Sequence, residues 1–141
     1  MEKLWCIGFA KSGESDVTSN ANETRPETSR MGALWERFLA RRLGAPVGMT
    51  TAIFDRYESD HRGPYRVTIA DELEESGPES ASVPEGWYLR FVAVGPQPSA
   101  LIETWKRIWR LSEEGKIQRS YKADYELHVS PSRIDVYVAV N

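Results

Sequence analysis

The sequence predicts an α+β fold: two tandem β-α-β-β repeats, giving an antiparallel sheet with two main helices and a central cleft. Three observations predict it. Two helical apolar stripes, around Trp35 and Trp105, are each followed by a pair of strand candidates. An offset of about 70 residues lays Trp35 on Trp105, Phe38 on Ile108 and Phe54 near Tyr125, an internal repeat at half the chain length. The C-terminal segment alternates so that one hairpin face is wholly apolar.

Taken in order, a strand is expected around Leu4 to Ala10, followed by a polar stretch. A helix is expected from Thr24 or Arg25 to Leu43: Thr24 and Glu27 have capping-box spacing, Pro26 falls early, and Gly44 stands just past the end. Met31, Leu34, Trp35, Phe38, Leu39 and Leu43 form its buried stripe. Strands are expected at Thr50 to Glu58 and Tyr65 to Asp71, joined through Gly63 and Pro64. Residues 71 to 85, with six carboxylates, Gly77, Pro78 and Pro84, read as a solvated acidic linker between the repeats.

The second repeat, residues 86 to 141, starts with a strand from Trp87 to Val94 and a Gly95-Pro96-Gln97-Pro98 turn. A helix from Ser99 to Leu111 follows, with Leu101, Trp105, Ile108 and Trp109 as its stripe. If Pro131 and Ser132 form the loop of the closing hairpin, Ser130 faces Arg133, Val129 faces Ile134, Leu127 faces Val136 and Tyr125 faces Val138. This register sets His128 against Asp135 and Glu126 against Tyr137.

At 141 residues, the chain is expected to form one domain, residues 1 to 141. Apolar residues make up 40% and charged residues 28%, an ordinary globular balance that excludes low-complexity classes. Eighteen basic against 21 acidic residues, a net charge of −3, argue against direct nucleic-acid binding. The single cysteine, Cys6, reads as a small buried residue and suits a cytoplasmic location. No uncharged apolar run approaches the ~20 residues a membrane helix needs. His61 and His128 lack partners at ligand spacing, so neither metal nor cofactor is expected. Arg30, Arg37, Arg41 and Arg42 lie on the polar side of the first helix, a solvated face able to meet an acidic partner protein. Aromatic residues, 11% of the chain, serve either a bulky core or a π-lined pocket.

The tandem repeats carry an L-W-x-x-F helix (Leu34, Trp35, Phe38), a short aromatic strand ending in Gly95-Pro96, and a D-[FY]-E strand (Asp124, Tyr125, Glu126). In this the chain resembles the GyrI-like, or AraC-type effector-binding, domain superfamily over nearly its whole length. Members include drug-sensing domains of multidrug-responsive activators, a gyrase-inhibitory protein, and standalone drug-binding proteins of integron cassettes. The resemblance implies that the carboxylate of the D-F-E strand, here Glu126, meets lipophilic organic cations inside an aromatic pocket. Arg110 to Gly115 replace the usual W-L-P-x-S-G segment, which changes the pocket rim. No DNA-binding segment accompanies the repeats, so the activator role is not expected to carry over.

On this reading Glu126 holds the cation, Tyr137 orients the carboxylate or stacks on the ligand, and Tyr57 is the related residue of the first repeat. Trp35, Phe38, Phe91, Trp105 and Trp109 are expected to line the cleft, the core, or both. The expected function is binding of drug-like cations, as a sink or as the sensing half of a regulator, with room for a protein partner or a homodimer. Two other functions remain open from the resemblance: hydrolysis of strained DNA-alkylating natural products with Glu126 as base, and protein interaction of the gyrase-inhibitor type.

Overall fold

The computed structural model describes residues 1–43, 49–72 and 77–141. In chain order the elements are β1 (Glu2–Cys6), β2 (Phe9–Thr18), α1 (Asn20–Glu23), α2 (Met31–Arg41), β3 (Thr50–Asp55), β4 (Tyr65–Asp71), β5 (Glu79–Val83), β6 (Gly86–Val94), α3 (Ser99–Glu113), β7 (Ala123–Ser130) and β8 (Arg133–Ala139). All the described strands join one antiparallel sheet in the order β1-β6-β8-β7-β3-β4-β2-β5. That order is a palindrome. β2-α2-β3-β4 and β6-α3-β7-β8 are the two β-α-β-β units, meeting where β3 pairs with β7. The strand before each unit pairs with the first strand of the other, β1 with β6 and β5 with β2, so the halves are laced together.

Several expected boundaries shift. The polar stretch after the first strand is itself the ten-residue strand β2, which pairs with β5 over Phe9 to Gly13 and with β4 over Glu14 to Thr18. A Cβ on Gly13 would stand 1.9 Å from the Ile69 carbonyl oxygen, so only glycine lets the strand change partners there. Part of the expected linker is β5: Ala81 and Val83 are buried while Glu79, Ser80 and Ser82 are exposed, a period-two pattern that the surrounding carboxylates concealed. The linker's residues 73–76, like Gly44 as a helix stop, lie outside the described residues.

The first helix begins at Met31 rather than Thr24. Thr24 instead closes the short helix α1, with its hydroxyl donating to the Ala21 carbonyl. The start of α2 is satisfied by Glu23, whose carboxylate accepts from the Arg30 and Met31 amides at 2.8 and 3.2 Å. The polar side of α2 is tied to β2, Arg41 donating to Glu14 at 2.8 Å and Arg37 to the Ser15 carbonyl at 3.1 Å.

Burial alone would raise the Glu23 pKa. Hydrogen bonds from Thr18, the Arg30 amide, Ser29 and the Met31 amide outweigh that effect and hold it below the usual carboxylate value. A lowered folded-state pKa means that the unfolded chain takes up the proton first. The stabilisation is therefore complete above the unfolded value and is lost as pH falls through the folded one. Glu23→Gln should cost about 1 kcal/mol at pH 7, the size of a lost helix cap. Its melting temperature should also fall less than the wild type's below about pH 4.5, near the group's ordinary pKa. Parallel melting curves from pH 2.5 to 7 would contradict this.

The two helices share one face of the sheet. Leu34 and Phe38 of α2 pack on Ala52, Phe54, Val67 and Ile69, and Ile108 of α3 packs on Leu89, Phe91, Ala93, Val136 and Val138. Because α2 lies over β2 and β4, and α3 over β6, the central strands β3 and β7 are left as the floor between them. The opposite face carries Ile53, Tyr88, Tyr125 and Tyr137 beneath β5 and the start of β2.

The closing hairpin corrects the expected register. Pro131 and Ser132 do form the loop and Ser130 faces Arg133, but a bulge at Val129 shifts every pair beyond it by one. Tyr137 therefore pairs with Tyr125, Glu126 with Val136, Leu127 with Asp135 and His128 with Ile134. The expected register matched polar with polar residues across the hairpin. The bulge instead sets the polar row Asp124, Glu126 and His128 beside the apolar row of β8 on the helix-bearing face. Asp135, on the other face, is paired with Arg133 at 2.9 Å.

Candidate ligand-binding site

Between α2 and α3, above β3 and β7, lies a cavity of about 340 Å³. Its floor is Ala52 and Phe54 of β3 with Glu126 and His128 of β7, residues that share a face because side chains alternate along each strand. Trp35 of α2 stands on one side; Leu101, Trp105 and Trp109, at helical spacing on α3, stand on the other. The Trp105 ring lies 5.6 Å from Phe54 and 6.3 Å from Trp109, and Trp35 lies 5.2 Å from the His128 ring.

Glu126 is 5% exposed. One carboxylate oxygen accepts from the Trp105 indole N–H at 2.7 Å, and the other lies 3.0 Å from His128 Nε2. No lysine or arginine among the described residues pairs with it.

A second polar group closes one end. Asp124, fully buried, accepts from the Tyr57 hydroxyl at 2.6 Å, Arg119 Nη2 at 2.6 Å and the Ala139 amide at 2.8 Å. Burial pushes the Tyr57 pKa well up, and the adjacent Asp124 charge raises it further, so the hydroxyl stays a donor at neutral pH. β3 stops at Asp55, three residues short of the expected end, because Arg56 turns into the left-handed region with φ 52°. That turn sends Tyr57 back over the cleft. Tyr121, also left-handed with φ 57°, lays its ring 4.4 Å from the Arg119 guanidinium. Arg56 and Tyr121 are the two non-glycine residues with positive φ among the described residues, and each is within two residues of a cavity-lining side chain, Tyr57 or Arg119.

The family model for integron-associated effector-binding proteins, Cass2, matches residues 2–140. The chain belongs to that family. Among solved structures, it is similar to the integron cassette protein VCH_CASS2 from the mobile metagenome of Vibrio cholerae. The two share 28% identity and a TM-score of 0.86, over 99% of this chain and 95% of that one. It has the fold of SAV2435, solved bound to tetraphenylphosphonium, with 14% identity and a TM-score of 0.71 over 99% and 93% of the two chains. No curated protein sequence matches it.

In this effector-binding family member, Glu126, Tyr57, Trp35, Trp105 and Trp109 meet around the cavity. The other three expected residues stand elsewhere. Tyr137 lies on the opposite face of the sheet, stacked 4.5 Å from Tyr125, because the bulge moves it out of register with Glu126. Phe38 is fully buried under α2 behind Trp35, and Phe91 is buried beneath α3 with the Arg107 guanidinium over its ring. Cys6 is half-buried against the core of that opposite face.

Sequence reasoning missed Arg119, Tyr65, His61, Asn20 and Glu23 as cavity residues. His128 carried a usable signal, since it lies two residues from Glu126 on the same strand face. Arg119, by contrast, sits in an irregular segment with no periodic neighbours. No three-residue cluster of metal-ligating side chains occurs among the described residues, and none of their helices is long and apolar enough to cross a membrane.

Proposed function

We propose that this chain reversibly binds amphipathic aromatic cations in the cleft between α2 and α3, with Glu126 as the charge partner. The observation that carries this reading is a buried carboxylate at the floor of an aromatic-walled cavity, held by an indole and an imidazole with no lysine or arginine among the described residues paired to it. A buried carboxylate without a full counter-charge carries a standing desolvation penalty, which an incoming cation offsets. A delocalised cation loses little hydration on entering and gains about 0.5–2 kcal/mol over each well-placed ring.

The rest of the lining agrees. Arg119 is paired with Asp124, which leaves Glu126 and Glu23 as the carboxylates of the lining without a lysine or arginine inside the cavity. The tetraphenylphosphonium-bound relative supports the ligand class, and the effector-binding family supports binding without turnover.

The five tryptophans serve as intrinsic probes for the test. Tetraphenylphosphonium should quench wild-type fluorescence saturably, and at least tenfold more tightly than neutral triphenylmethane, which carries no hydrogen-bonding oxygen. Mass spectrometry should recover the cation unchanged after long incubation. Equal affinity for both compounds would overturn the charge reading, and a modified ligand would move the assignment to an enzyme.

A further inference from the structure

The cavity holds a second recognition group that a simple cation would leave unused. Arg119 lines it with a side chain only 1% exposed, yet of its guanidinium nitrogens only Nη2 is engaged, on Asp124. The Nε and Nη1 donors are buried with no hydrogen-bond partner. Buried donors left unpaired are uncommon, because each forfeits its hydration without replacement. The Arg119 backbone bridges to Val140, and the guanidinium is packed among the rings of Tyr121, Tyr57 and Trp105 at 4.4, 6.0 and 5.9 Å, so a ligand oxygen reaches the free donors by displacing one of those rings.

Resting on the cation reading above, we infer that the preferred ligand class is an aromatic cation bearing a neutral carbonyl oxygen, as in an ester, ketone or amide, which accepts from Arg119 while the cation faces Glu126. Trp105 joins the two subsites, since its indole N–H binds Glu126 and its ring faces Arg119. The acceptor is neutral because Asp124 already balances the Arg119 charge. An anionic arm would enter a cavity that also holds Glu126 and Glu23. A planar guanidinium points its donors in fixed directions, so it reads the position of a carbonyl oxygen by geometry as well as by charge.

The experiment compares three triphenylphosphonium cations that share one head group: hexyl, 4-(methoxycarbonyl)butyl and 4-carboxybutyl. Wild-type protein should bind the ester about tenfold more tightly than the hexyl compound, with the free carboxylate weaker than the ester. In Arg119→Lys, which keeps the charge opposite Asp124 but not the fork, the ester-to-hexyl ratio should fall towards one. Any general effect of the substitution cancels in that ratio. If Arg119→Lys does not fold, the wild-type ratio alone decides. A ratio near one in the wild type, an unchanged tenfold ratio in Arg119→Lys, or a carboxylate that outbinds the ester would overturn the inference. Failure of the hexyl compound to bind at all would instead sink the underlying cation reading.

Discussion

Asp124→Asn should lower the unfolding free energy by about 3–5 kcal/mol, the cost of stranding a buried charge. The carboxylate is fully buried and accepts from three donors at once. Asparagine fills the same volume but offers one acceptor oxygen and turns an N–H group towards groups that are themselves donors. It also removes the carboxylate that balances the Arg119 charge. On a chain of this size the loss corresponds to a drop in melting temperature of roughly 10–15 °C. Tyr57→Phe, which deletes one hydrogen bond to the carboxylate and no charge, should cost less, about 1.5–3 kcal/mol. Replacing Arg119 and Asp124 together by apolar residues should cost less than Asp124→Asn, since no charge is then left unpaired. Thermal and denaturant unfolding of these variants checks the order. A loss below about 1 kcal/mol for Asp124→Asn would mean that the network does not hold this end of the cleft.

Trp105→Ala should weaken binding of tetraphenylphosphonium by roughly 30-fold, about 2 kcal/mol. The indole is the wall shared by every part of the site, beside Phe54, Trp109 and the Arg119 guanidinium, and it donates to Glu126. Alanine removes a ring face from the ligand and a hydrogen bond from the carboxylate. Trp105→Phe keeps the face and loses only the N–H, so it should retain most of the affinity. Calorimetric titration separates the two contributions. Equal losses for alanine and phenylalanine would show that the hydrogen bond, rather than the ring, carries the effect.

The parts legible in the sequence were those governed by period and offset. Both helices, the strand pairs that follow them and the repeat at about 70 residues reappear in the palindromic sheet, but the first stripe is narrower than its spacing suggests: Leu34 and Phe38 are buried, while Leu39 and Leu43 are 53% and 88% exposed. Trp35 and Trp105 were within reach because helical spacing sets them on the inner stripes of their helices, whereas Glu126 came from the resemblance of its strand to the D-F-E strand of the superfamily. Tyr137 was misplaced by one residue of register. A bulge such as that at Val129 has no local sequence mark, yet it carries every side chain beyond it to a different partner. β5 was hidden because its alternation uses serine, alanine and valine within an acidic stretch, and its partner β2 lies some 70 residues earlier. The helix start moved because the capping carboxylate, Glu23, comes from a separate turn eight residues before Met31, a distance that no capping-box pattern spans. Arg119 and Asp124 show the same limit, since nothing in their local spacing reveals that they and Tyr57 are neighbours.

If the Glu126 charge selects the ligand, removing that charge alone removes the preference for a cation. Glu126→Gln tests it most directly, because the amide oxygen can still accept the Trp105 N–H while the charge is gone. Wild-type and variant protein would each be titrated with tetraphenylphosphonium and with neutral triphenylmethane at the same ionic strength. The variant should lose tenfold or more in affinity for the cation, about 1.4 kcal/mol, and bind the neutral compound as the wild type does. Equal losses for both compounds, or none for either, would contradict the claim.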